Sequence, residues 1–205
     1  DGSTALGPGT LASGKATFTS TSLPVGTHSI TASYGADASF AGSVSTALSQ
    51  VVNQTATSTA ISSSANPAVY GQPVTFIAAV SVTAPGTGTP SGTVTFFDGA
   101  TSIGAATLSG GSASVTTSSL AGGTHTVTVI YAGDSSFAGS TSGALSQVIN
   151  RTNTSTAIGS SLNPSAFGQS VVFTATVTSS AGAPAGTVTF FDGATSIGAA
   201  TLSGG

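Results

Sequence analysis

The chain has 205 residues and a formal net charge of −3, and only 3% of its residues are charged, against about 25% in ordinary globular domains. Lys15 and Arg151 are its only basic residues, which excludes nucleic-acid binding by phosphate neutralisation, and no stretch approaches the ~20 apolar residues of a membrane-spanning helix. The absence of Cys excludes disulfides, thiolate metal sites and cysteine nucleophiles. Because charged residues are so few, the polar surface must come mainly from the 36 Ser and 35 Thr.

A long internal repeat organises the chain. Residues 1–53 align with residues 98–150 without a gap, and DGATSIGAATLSGG occurs identically at residues 98–111 and 192–205. The period of about 97 residues predicts three parts: the back half of a unit at 1–53, a complete unit at 54–150 and the front half of a third unit at 151–205. We therefore expect a piece of a longer tandem array. An assembly in which half units of different chains complete each other is a less favoured alternative, because the repeated hairpin segment is present in both halves.

The complete unit has the periodicity of β-strands. Apolar residues alternate with Thr and other outward residues from Val74 to Ser81, and again from Thr124 to Tyr131, as in an antiparallel sheet that is solvated on one face. Turn signals between such runs predict seven strands, near residues 57–62, 73–82, 92–97, 101–107, 112–118, 124–131 and 142–149. No capped helical pattern is present. The sequence therefore predicts an all-β class with antiparallel β-sandwiches, and a closed barrel is the alternative.

Several segments of the unit resemble a known family. An Asn-Pro near the start, GTVTFFDG in the middle, LAGGTHTVTVIYAGDSSFAGS and a closing LSQVIN resemble the bacterial immunoglobulin-like (Big-type) repeats found in tandem in large secreted and surface proteins. The resemblance implies an immunoglobulin-like topology with about seven strands per unit. It also implies an extracellular or cell-surface location, with neighbouring units of the same chain as partners. It names no receptor, because such repeats serve as spacers in proteins of different function.

The two histidines occupy one repeat position. In immunoglobulin domains a Tyr at this corner donates a hydrogen bond to the backbone. His28 and His125 stand in that register, so we expect a structural imidazole N–H that makes the same bond. One His per unit excludes a catalytic His pair within a unit. The GxSxG nucleophile elbow of α/β-hydrolases is also absent. We expect no enzymatic activity, no catalytic residue and no cofactor.

All five acidic residues are Asp, and they fall at two repeat positions. Asp98-Gly99 and Asp192-Gly193, like Asp1-Gly2, are expected to form tight hairpin turns in which Gly supplies the positive φ. Asp134 lies in the loop after the predicted strand at 124–131, and Asp37 lies in the equivalent loop of the first repeat. They are weak calcium candidates, because calcium requires several oxygen ligands and usually more than one carboxylate. Turn formation without a bound metal is the favoured interpretation.

Two features of the sequence bear on carbohydrate at the surface. The N-glycosylation pattern occurs at Asn53, Asn150 and Asn153, near the unit junctions, where coincidence is the favoured explanation. Phe97 and its copy Phe191 are the only aromatic residues predicted to face outward, whereas a sugar-binding platform usually needs several exposed rings. Packing against a neighbouring hairpin or unit is the favoured role of these two rings.

The segment joining two units is short, which favours a rod. From Leu145 to Ile158 the chain passes between units without a Gly/Ser-rich or Pro-rich spacer. We expect a semi-rigid extracellular rod or stalk of an adhesin-like protein, with no membrane insertion in this segment. Because low charge weakens repulsion between copies, a self-associating filament or sheath is the alternative. A carbohydrate- or ligand-binding module is the second alternative.

Overall fold

A computed structural model describes residues 1–204, and none of these residues is helical. Its strands are antiparallel to their neighbours except for one short parallel pair. The predicted all-β class is confirmed. Within the described residues there is no helix long and apolar enough to cross a membrane.

The strands fall into three groups along the chain. Residues 1–53 contain β1 (Gly26–Ile30), β2 (Ser33–Tyr34), β3 (Ser43–Val44) and β4 (Leu48–Val52). Residues 54–150 contain β5 (Thr57–Ser63), β6 (Ala68–Val69), β7 (Val74–Val82), β8 (Thr93–Asp98), β9 (Thr101–Thr107), β10 (Ser112–Thr117), β11 (Gly123–Tyr131), β12 (Ser140–Thr141) and β13 (Leu145–Asn150). The last group is β14 (Thr154–Ser160), β15 (Phe173–Ser179), β16 (Thr187–Asp192) and β17 (Thr195–Thr201).

The central group, β5 to β13, forms a sandwich of two sheets. One sheet has the order β10-β7-β5, and the other has the order β6-β13-β11-β8-β9 with β12 attached to β11. The chain crosses from the first sheet to the second between β5 and β6. Strands one, two and five of the seven main strands thus face strands three, four, six and seven. This is the division of the immunoglobulin fold except at strand four, β9, which extends the second sheet beside β8.

The core lies between these two sheets and follows from the alternation in the sequence. In β7, the side chains of Val74, Phe76, Ala78 and Val80 are buried while those between them are partly or fully exposed. The most deeply buried apolar side chains are those of Ala68, Val74, Phe76, Ala78, Val94, Phe96, Val127, Val129 and Tyr131. A Thr-rich outer face and an apolar inner face are therefore produced by one period-two pattern.

The hairpin between β8 and β9 turns one residue later than the Asp-Gly pair suggests. Asp98 is paired with Thr101, so the two central residues of the turn are Gly99 and Ala100. Gly99 has a φ of 55°, as expected for the first central position of a type II′ turn. The register shifts between Phe96 and Phe97, which pair with Gly104 and Ser102, so Ile103 is the extra residue of a β-bulge in β9. Asp98 itself ends the strand, which leaves its carboxylate free to contact a neighbouring strand.

The chain enters and leaves the central sandwich at opposite ends. β6 runs parallel to β13, with Asn150 beside Val69, so the start of β5 lies at the far end from the close of β13. Only residues 53–56 separate β4 from β5, and only residues 151–153 separate β13 from β14. Successive units are therefore joined end to end by short links.

The two outer groups are smaller ladders. Residues 1–53 contain a β1-β4 pair and a β2-β3 pair, and residues 151–204 contain a β14-β15 pair and a β16-β17 pair. Among the described residues, β1, β15 and β16 each have one strand neighbour, whereas their counterparts β11, β7 and β8 have two or more. Within residues 1–204 the outer groups therefore contain only part of the strand pairing seen in the central sandwich.

Candidate functional site

A histidine and an aspartate meet at the corner that leads into β11. The His125 Nδ1 lies 2.6 Å from Asp98 Oδ2, and its Nε2 lies 2.8 Å from the backbone oxygen of Ala121. Both partners are hydrogen-bond acceptors, so the arrangement favours the protonated imidazole, which donates from both ring nitrogens. The backbone oxygen of Ala121 raises the pKa of His125, Asp98 raises it further, and burial partly opposes this.

The same arrangement occurs in residues 1–53. His28 contacts Asp1 through Nδ1 and the backbone oxygen of Pro24 through Nε2. In both copies the Asp and the His are 27 residues apart. The bond to the backbone is the one expected from the corner register. The ion pair was not predicted from the sequence, although the repeated spacing of these otherwise rare residues was the available signal.

The His-Asp pair is not arranged for proton transfer to a substrate. An imidazole that donates from both nitrogens has no free lone pair with which to act as a general base. The His125 side chain is only 15% exposed, and its Nε2 is committed to Ala121. We infer that the pair is structural: it ties the end of β8 to the loop before β11.

A second carboxylate organises the loop after β11. Asp134 Oδ1 accepts the backbone N–H groups of Ser136 and Phe137 at 2.8 and 2.9 Å. Asp134 Oδ2 accepts the Ser91 hydroxyl at 2.6 Å and the Ser91 N–H at 3.1 Å. The Ser91 hydroxyl is the main cause that holds the pKa of Asp134 well below its usual range, and the backbone donors add to it.

The equivalent loop in residues 1–53 uses a different donor. Asp37 Oδ1 accepts the N–H groups of Ser39 and Phe40, and Asp37 Oδ2 accepts the Tyr34 hydroxyl at 2.7 Å. The Tyr34 bond is the main cause that lowers the pKa of Asp37. Tyr131, the counterpart of Tyr34, is buried, and its hydroxyl makes no hydrogen bond of ordinary geometry among residues 1–204. In this copy Asp134 Oδ2 accepts from the Ser91 hydroxyl instead.

These contacts bear on the calcium hypothesis. A carboxylate has about four lone-pair positions, and Asp134 receives four hydrogen bonds. Calcium would have to displace several of these donors. Among the described residues, no group of three or more His, Asp or Glu side chains is placed to hold a metal. Calcium binding at Asp134 and Asp37 stays a prediction.

A buried amide connects the two sheets. Gln147 in β13 is 0% exposed; its Oε1 accepts the Ser63 hydroxyl at 2.6 Å, and its Nε2 donates to the backbone oxygen of Ala65 at 2.9 Å. Asn66 lies alongside and bonds the backbone of β13, donating to Ser146 O and accepting from Val148 N–H. These two amides hold the crossing between β5 and β6. Their contacts were not predicted from the sequence, although both residues lie in repeated segments, LSQVIN and Asn-Pro.

The remaining predicted residues lie at the surface. Asp192 ends β16 and pairs with Thr195, so Gly193 and Ala194 are the central residues of the β16-β17 turn, and Gly193 has a φ of 56°. Phe97 is half-buried and Phe191 is exposed. The recess lined by Tyr70, Arg151 and Pro184 is a shallow opening of about 290 Å³ between the second and third units.

The repeated sandwich and its corner can now be compared with known proteins. A family model described as bacterial Ig-like domain (group 3) matches residues 1–53, 61–150 and 158–205. The chain belongs to this family. The match confirms the resemblance to Big-type repeats and the presence of three repeated units in this Ig-like chain. No curated protein matches it. Domains of the family are structural repeats and are generally non-enzymatic.

Proposed function

We propose that this bacterial Ig-like chain is a non-enzymatic spacer that forms a semi-rigid stalk in a large surface or secreted protein. The observation that carries the proposal is the path of the chain, which enters the central sandwich at one end and leaves it at the other. Links of three or four residues can extend no more than about 14 Å, so they permit little folding back. The length of the stalk then increases with the number of units.

An extracellular location is supported by the family and by the chemistry of the surface. Bacterial Ig-like domains typically occur in surface or secreted proteins. The central unit reaches its fold with an apolar core and amide, hydroxyl and His-Asp contacts, using no Cys. Few charges are available to be screened by salt, so the stability of such a stalk should depend little on ionic strength.

The location is tested by labelling cells. Antibodies raised against the chain should bind intact cells of the source organism or detect the protein in the culture medium. Mild protease treatment of intact cells should remove the epitope. An antibody against an abundant cytoplasmic protein is the control for lysis. Labelling that requires permeabilised cells would contradict the proposal.

A self-associating filament or sheath is the second candidate function. The observation that favours it is composition, since only 3% of residues are charged and repulsion between copies is correspondingly weak. In a filament, chains would pack side by side through the Thr-rich faces and would bury hundreds of Å² per contact. Electron microscopy of the full protein distinguishes the two: single thin stalks support the spacer, and laterally bundled fibres support the filament.

A further inference from the structure

We propose that the hydrogen bonds between the first and the last strands of the central unit form a mechanical clamp, which resists force applied along the array. The clamp consists of the bonds that join residues 57–70, which contain β5 and β6, to residues 138–150, which contain β12 and β13. The force itself would be transmitted by the stalk proposed above, so this role rests on that proposal. The resistance to force, by contrast, is a property of the central unit alone.

Force along the array would reach the central unit at its two opposite ends. The chain enters beside the loop that follows β11, where the Thr55 N–H donates to the backbone oxygen of Ser136 at 2.9 Å. It leaves beside the start of β11, where Ile149 is paired with Gly123. β11 has nine residues and is therefore roughly 30 Å long. Force would thus pull the entry and the exit of the unit apart along the direction of the strands.

The parallel pairing of β6 with β13 places their hydrogen bonds in shear under such a force. Ala68 is paired with Ile149 and Val69 with Asn150, and the Tyr70 N–H donates to the backbone oxygen of Asn150 at 2.9 Å. Force at the entry draws β5 and β6 one way, whereas force at the exit draws β13 the opposite way. Neighbouring strands would have to slide past each other, so the bonds between them share the force and must break together.

Two amide side chains add bonds across the same boundary near the exit. Gln147 and Asn66 together make four hydrogen bonds of 2.6 to 2.9 Å between β13 and the crossing that follows β5. Gln147 is 0% exposed, so water cannot replace its partners before the strands have moved. Breaking these bonds leaves buried polar groups unpaired, which is costly. The clamp therefore resists the first step of sliding.

Hydroxyl groups add further bonds near the entry. The Thr57 hydroxyl donates to the backbone oxygen of Ala138 at 2.7 Å. Ser140 Oγ lies 2.8 Å from Thr57 Oγ1 and 2.7 Å from Thr59 Oγ1. Thr59 is buried, so these contacts are shielded from water. The first strand is thus bonded to the last two strands at both of its ends, by side chains as well as through the β6-β13 pairing.

The polar residues of the clamp recur at the same repeat positions in the neighbouring units. Gln50 is the copy of Gln147, and Ser160 and Asn163 are the copies of Ser63 and Asn66. In an array the units are connected in series, so each of them carries the same force. The repeat would therefore supply every unit with the same resistance to it.

Single-molecule force spectroscopy of the full chain, held by tags at its two ends, tests the clamp. Unfolding of residues 54–150 releases about 350 Å of extended chain, which identifies the event that belongs to the central unit. Asn66→Ala removes two bonds of the clamp and should raise the unfolding rate at constant force roughly tenfold. Ser63→Ala removes a single hydroxyl from the same boundary and should raise that rate roughly threefold.

Asp98→Ala is the matched control, because it removes the contact with His125, which lies outside the clamp. At pH 6 it should destabilise the unit in urea about as much as Asn66→Ala does. Under force it should change the unfolding rate by less than about twofold, because its contact is still intact when the clamp yields.

Two results would overturn the clamp: equal acceleration by Asp98→Ala and Asn66→Ala, or no acceleration by Asn66→Ala and Ser63→Ala. Neither result changes the outcome of labelling intact cells, so failure of the clamp is distinguishable from failure of the proposed stalk.

Discussion

At the scale of single residues, the charge of His125 makes a specific prediction about pH. Asp98 and Ala121 both accept from the imidazole, which favours the protonated form and raises its pKa above the ordinary value of about 6.5. Because the folded pKa is raised, the stabilisation is complete below pH ~6.5 and is lost as the pH rises through the folded pKa. NMR titration in a His28→Gln background should give a His125 midpoint above 6.5. A midpoint at or below 6.5 would contradict the doubly donating imidazole.

The same contact predicts the effect of removing its carboxylate. Asp98→Ala leaves the His125 charge without its partner and should lower the free energy of unfolding by about 1–3 kcal/mol at pH 6. Asp192→Ala is the matched control, because Asp192 has the same sequence surroundings without a His partner in its own segment. Its effect on the central unit should stay within about 0.5 kcal/mol. Urea unfolding measures both, and equal effects would show that the His-Asp pair contributes nothing.

Gln147 illustrates a polar residue whose value depends on burial. Gln147→Ala removes bonds to Ser63 and Ala65 and leaves a cavity, so the central unit should lose about 2–4 kcal/mol. Gln50→Ala makes the same chemical change at an exposed position and should cost less than about 0.5 kcal/mol at monomeric concentrations. Denaturant midpoints compare the two variants. A small loss at Gln147 would show that the crossing between the sheets is held by other contacts.

At the scale of elements, two glycines in the turn between β9 and β10 differ in how much an added side chain should destabilise the fold. Gly110 and Gly111 both have positive φ, of 61° and 80°. A Cβ at Gly110 would meet nothing within 4 Å, whereas one at Gly111 would lie 2.8 Å from the backbone oxygen of Val80. Gly110→Ala should cost about 1–2 kcal/mol from the backbone alone, and Gly111→Ala clearly more. Thermal unfolding ranks them, and equal losses would contradict the close approach to β7.

The seven main strands could be predicted because each has a strong local signal. All seven lie within three residues of their predicted bounds, because apolar residues alternate in β7, β8 and β11 and turn residues bound the other strands. The short strands β6 and β12 were missed, because two residues are too few to show a period. The pairing of β6 with β13 depends instead on Asn66 and Gln147, whose bonds to β13 and Ala65 are long-range and leave no local pattern.

The candidate site was predictable in part for the same reason. The bond from His125 to the backbone could be expected, because His125 occupies the position of the corner Tyr in immunoglobulin domains. Its ion pair with Asp98 joins strands that are 27 residues apart in sequence, so it becomes visible only when β8 and β11 are placed side by side. Ser91 on Asp134 is a contact between loops 43 residues apart, which no spacing rule would supply.

At the scale of the whole molecule, the central claim is that the units follow one another in a line. A single compact particle of 205 residues would have a radius of gyration of about 17 Å. Units joined end to end through short links should give more than about 22 Å, since each sandwich adds roughly 30 Å of length.

Small-angle X-ray scattering at concentrations where the chain is monomeric measures this directly. The expected result is a radius of gyration above about 22 Å, with a cross-section close to that of one sandwich. A value near 17 Å would mean that the outer segments fold back on the central unit, and it would contradict the stalk.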